Sequence, residues 1–121
     1  MFDVQRQSDH RVDIHVSGAI DAAAMRAGLD ALVDASMDVR NGLMLYRIEN
    51  ITMPTPGAMM VEFARLPQLI ALIGRFDRAA VCSDVAWVRR AAEVEGRLIP
   101  GLKIKAFELD EVAAAEAWLD T

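Results

Sequence analysis

The stretch Arg78-Ala79-Ala80-Val81-Cys82-Ser83-Asp84-Val85-Ala86-Trp87 decides the fold. Its first half is almost continuously apolar, the pattern of a strand covered on both faces. Asp84 is a residue that caps helices by accepting the free amides of a first turn. Beyond it, Trp87, Val88, Ala91 and Ala92 recur at helical spacing. A buried strand that runs directly into a helix is one step of a parallel α/β architecture.

The same grammar extends outward. Leu43-Met44-Leu45-Tyr46-Arg47-Ile48 is a second near-continuous apolar run, so it predicts another central strand. Leu102-Lys103-Ile104-Lys105-Ala106 alternates, and its lysines mark an edge strand, because charge discourages pairing with a further chain. Phe2-Asp3-Val4-Gln5 and Arg11-Val12-Asp13-Ile14-His15-Val16 also alternate, with the short polar Ser8-Asp9-His10 between them, which predicts an antiparallel hairpin. Asp21 is placed to cap a helix carrying Met25, Leu29, Leu32 and Val33, ended by Asn41-Gly42, and Asp110 to cap a last one carrying Val112, Ala115 and Leu119. The expectation is a single α/β domain over residues 1–121: a five-stranded mixed sheet, opened by the hairpin and continued by parallel strands, with about four flanking helices.

Thr52 to Gly74 is the unusual segment. Thr55 suits an N-cap and Pro56 the first helical position. Pro67 breaks or kinks this helix, since its ring clashes with the preceding turn. The two pieces carry Met59, Met60, Val61, Phe63, Leu66, Leu69, Ile70, Leu72 and Ile73, more apolar circumference than docking on a sheet consumes. That surplus admits burial in the core, a homodimer interface, or an apolar ligand or membrane contact. The leading expectation is a non-enzymatic binding module. In it Met53, Met59, Met60, Phe63, Leu69, Ile70 and Ile73 line or gate an apolar cleft, or meet a membrane. Pro67 and Gly74 act as the joints, and a fatty-acid-like or other amphipathic molecule is the ligand. The alternative is a protein-interaction or homodimerisation domain using the same surface.

Composition bounds the rest. The 121 residues are 54% hydrophobic and 26% charged, with a net charge of -5, which excludes the clustered basic surface that nucleic acid requires. No basic-then-apolar leader opens the sequence and no apolar run approaches the length of a membrane span, so a cytoplasmic protein, at most peripheral to a membrane, is expected. Cys82 is the one cysteine, leaving neither a disulfide nor a CxxC motif. His15 and Asp13 share the polar face of a strand, which permits a two-ligand metal site or an acid-base pair, but no third ligand is evident. Cys82 would need a neighbouring base or cation to act as a thiolate. Gly-rich phosphate loops are absent. Arg89-Arg90 with Lys103 and Lys105 form a local basic group that Glu93 and Glu95 offset. No catalytic residue, metal or cofactor is assigned.

Ala80-Val81-Cys82-Ser83-Asp84-Val85-Ala86-Trp87, with Ile104-Lys105-Ala106-Phe107-Glu108-Leu109-Asp110-Glu111 and Ala117-Trp118-Leu119, resembles the SpoIIAA-like family of the STAS and CRAL-TRIO-like superfamily. The resemblance implies an α/β fold without enzyme activity. It also implies either an interaction module, as STAS domains are, or an apolar-ligand binder, as CRAL-TRIO relatives are. Anti-sigma-factor antagonists of this kind carry a phosphorylatable Ser in an Asp-Ser-Ser/Ala-Gly-type motif after the central strand. The corresponding loop here reads Thr52-Met53-Pro54-Thr55-Pro56-Gly57, with no Asp beside a Ser, so a phospho-switch is not expected.

Overall fold

A computed structural model describes residues 1–52 and 54–121. Five strands, β1 (Phe2–Arg6), β2 (Arg11–Gly18), β3 (Gly42–Ile51), β4 (Phe76–Ser83) and β5 (Lys103–Glu108), form one sheet in the order β1-β2-β3-β4-β5. β1 pairs antiparallel with β2, and every later pairing is parallel. The mixed sheet, its hairpin and the edge position of the lysine-bearing strand agree with the sequence reading.

Five helices rather than about four accompany it: α1 (Ala22–Ser36), α2 (Pro56–Ala64), α3 (Leu66–Ile73), α4 (Ala86–Leu98) and α5 (Val112–Leu119), with a 3-10 turn over Leu109–Glu111. The extra helix comes from the break before Pro67, which sits in the first turn of α3, where its missing N–H costs nothing. Asp21 caps α1 as expected, accepting the Ala24 amide at 2.8 Å. Thr55 caps α2, its hydroxyl accepting the Ala58 amide at 3.1 Å.

Two expected caps are corrected. Val85, not Asp84, is the N-cap of α4; the Asp84 carboxylate instead accepts the Asn50 amide at 3.1 Å, joining the ends of β3 and β4. The Val85 amide is taken by the Ser83 hydroxyl at 3.1 Å, which leaves Asp84 free to face the neighbouring strand end. Asp110 does not cap α5 either. It lies inside the 3-10 turn, which Glu108 and Glu111 close as a capping box, and α5 begins only at Val112.

Consecutive strand order with right-handed crossovers sends the helices of β2-α1-β3, β3-α2-α3-β4 and β4-α4-β5 to one face of the sheet. On that face Val12, Ile14, Met44 and Ala79 pack with Met25, Leu29 and Leu72. The opposite face carries Leu45, Ala80, Cys82 and Phe107, covered by Ala115 and Leu119 of α5. Alternation along β3 therefore divides its side chains between two cores, which is why its sequence is apolar throughout.

Candidate functional site: an apolar cleft with an acidic rim

Three helical elements on one side of a sheet fill it unevenly. α2 and α3 are short and joined by a break, and α3 fully buries only Leu72. Between them and α4 the sheet stays partly uncovered, leaving a cleft of about 390 Å³. Met44, Tyr46 and Ile48 of β3 form its floor with Ala79 and Val81 of β4 and Ile104 of β5. Leu69, Leu72 and Ile73 of α3 make one wall; Trp87, Val88, Ala91 and Ala92 of α4 make another. Met25, Leu29 and Leu32 of α1 close the inner end. This volume lies within the range of about 300–1,000 Å³ typical of small-molecule sites.

The ionisable groups here are few: Tyr46, Glu62 of α2 and Glu95 of α4. Among the described residues no Lys, Arg or His lines the cleft. The Tyr46 hydroxyl has no hydrogen-bond partner among the described residues, and burial first, then the charges of Glu95 and Glu62, pushes it up to about 12. Burial, reinforced by Glu62, likewise raises Glu95 above the usual carboxylate range. Tyr46 and Glu95 thus both feel the charge of Glu62.

The expected site residues divide between two surfaces. Leu69 and Ile73 line the cleft. Met59, Met60, Phe63 and Ile70 lie outside it on the solvent side of α2 and α3, with Met60 72%, Phe63 70% and Ile70 65% exposed. Met53 falls outside the described residues. Pro67 and Gly74 bound α3, and Gly74 has right-handed helical backbone (φ -62). Arg65, between the two helices, donates to Asp30 of α1 at 2.6 Å and to Gln68 at 2.9 Å, which fastens the α2–α3 junction to α1. Sequence reasoning missed Tyr46, Glu62 and Glu95. Nothing in their spacing sets them apart as a site, Glu95 being one of several charges on α4 and Tyr46 one apolar-strand residue among many, and only the crossover topology brings them together.

The other chemical candidates are occupied structurally. His15 Nε2 pairs with Glu49 at 2.6 Å rather than with Asp13, which receives Arg11 at 2.7 Å. Among the described residues no group of three His, Cys, Asp or Glu side chains could hold a metal. Cys82 is fully buried, and burial with the charge of Glu111 pushes its thiol up to about 11, the reverse of what a nucleophile needs. Arg89 donates to the Ser83 carbonyl at 2.7 Å. Thr55, the hydroxyl of the loop after β3, is engaged as a cap. No described helix is long and apolar enough to cross a membrane.

No functionally curated relative matches the sequence significantly. Among solved structures, an uncharacterised protein with a SpoIIAA-like fold from Shewanella loihica aligns with a TM-score of 0.74 at 18% identity, over 98% of this chain and 92% of that one. The phosphorylated form of the Bacillus cell fate determinant SpoIIAA aligns with a TM-score of 0.54 at 19% identity, over 94% of this chain and 98% of that one. Both likenesses are of fold. The SpoIIAA-like family model matches residues 11–120, from the first residue of β2 to the residue after α5, and the chain belongs to the SpoIIAA-like family.

Proposed function

We propose that this protein is a non-enzymatic binding module whose cleft between α3 and α4 takes an apolar or amphipathic small molecule. The observation that carries this reading is the cleft itself: about 390 Å³ of space over the sheet, walled almost wholly by aliphatic and aromatic side chains. Water in such a hollow finds few hydrogen-bond partners, so an apolar occupant that displaces it is favoured. α3, which buries only Leu72 fully, has Pro67 in its first turn and ends at Gly74, is the element that moves to admit it. A native mass spectrum of freshly purified protein should show a ligand-sized mass that denaturation removes, or the bare protein should take up the neutral dye Nile red. A bare monomer that leaves Nile red in water would overturn the reading.

The exposure of Met60, Phe63 and Ile70 favours a second reading, in which the outer face of α2 and α3 docks on a protein, a second copy or a membrane surface. A folded Met60→Ser/Phe63→Ser variant should then lose self-association or vesicle binding while keeping dye uptake. Unchanged association in that variant would remove this face from consideration.

A further inference from the structure

We propose that the occupant of the cleft is an organic cation, an apolar body bearing a protonated amine that is held between Glu62 and Glu95. This rests on the reading of the cleft as an apolar ligand site and names its chemistry. The lining is apolar except for Glu62 of α2, Glu95 of α4 and Tyr46 of β3, and Glu62 lies near enough for its charge to act on both of the others. No basic group lines the cleft among the described residues, and none offsets the raised pKa of Glu95 or of Tyr46. A fatty-acid carboxylate would add a third negative charge to two that already repel each other. A neutral head would leave that repulsion in place.

An ammonium group reverses it. It would sit between two carboxylates at the edge of an apolar hollow and make charge-assisted hydrogen bonds, which are roughly twice as strong as neutral ones. The Tyr46 oxygen offers it a further acceptor. Trp87, which lines the α4 wall and is 48% exposed, presents an indole, the ring best suited to attract a cation. The aliphatic floor then takes the body of the ligand, so charge and shape select the same class of molecule.

Isothermal titration of the full chain with octylamine, octanol, octanoate and ethylamine at neutral pH and low salt tests this. Octylamine should bind about tenfold or more tightly than octanol, and octanoate weakest. Ethylamine, which carries the charge without the body, should not bind measurably. In a Glu62→Gln/Glu95→Gln variant with an unchanged circular dichroism spectrum, octylamine should fall to the affinity of octanol, and octanol should be unaffected. Octanol or octanoate matching octylamine would overturn the cation assignment and leave the cleft reading intact. An amine preference that survives in the double variant, or ethylamine binding as well as octylamine, would also overturn it. Silence from all four probes would overturn the cleft reading and the cation assignment together.

Discussion

Cys82 shows how a residue that looks chemical in sequence becomes inert in the fold. It is the last residue but one of a central strand, near the strand end where α/β proteins often place active sites, but it faces the α5 side of the sheet rather than the cleft. Its neighbours there are Leu45, Ala80 and Phe107, and its thiol is shifted up to about 11. Iodoacetamide at neutral pH should therefore leave the native protein unmodified and label it fully once unfolded, as mass spectrometry would show. Fast labelling of the native state would mean that the α5 face opens readily. His15 makes the same point, since its partner is Glu49 of the next strand. Pairing across strands is set by register, and local spacing shows only that Asp13 and His15 share a face.

The elements are largely legible, because each strand and helix carries its own period and its own stop signals. Thr55 and Pro56 opening α2, and Pro67 dividing α2 from α3, arise from local backbone chemistry alone. Asp84 and Asp110 mislead as caps because the chain starts each helix later than they predict: Ser83 turns the backbone so that Val85 becomes the N-cap of α4, and the Glu108–Glu111 box places Asp110 inside a 3-10 turn before α5. Glycine is a subtler case. Gly28 stands in the middle of α1, where glycine is unfavourable by about 1 kcal/mol relative to alanine. A Cβ there would come within 2.3 Å of the Phe2 ring, so the glycine exists to let β1 pack against α1. Gly28→Ala should lower stability by about 1–2 kcal/mol in urea unfolding, overpacking outweighing the gain in helix propensity. A stabilised variant would show that Phe2 moves aside at little cost.

At the scale of the whole molecule, an apolar cleft beside Leu69 and Ile73 is legible, but its acidic rim is not. Its acidic groups come from segments that sequence separates by about 16 to 33 residues, and only a sheet whose crossovers share one face gathers them. The exposed apolar residues of α2 and α3 are visible, but which of them turn inward depends on how the broken helix pair sits on α1. The acidic rim has a global consequence. The folded state holds the Glu95 proton more tightly than the unfolded chain, so it binds more protons in the interval above the ordinary value of 4.5. Stability should fall as pH rises through that interval. Glu95→Gln should accordingly be more stable than the parent at neutral pH, with the difference vanishing towards pH ~4, as thermal melts across pH would show. Equal melting temperatures at neutral pH would mean that solvent already screens the pair.

The uninterrupted strand order also bears on how the protein is made. Each strand after the hairpin is laid against the one just before it, and none has to be threaded between two that are already paired. The chain emerging from a ribosome can therefore add one strand and its covering helix at a time, closing a single helical crossover between neighbouring strands at every step. Assembly and synthesis run in the same direction, so the growing edge of the sheet is masked by the next strand soon after it forms.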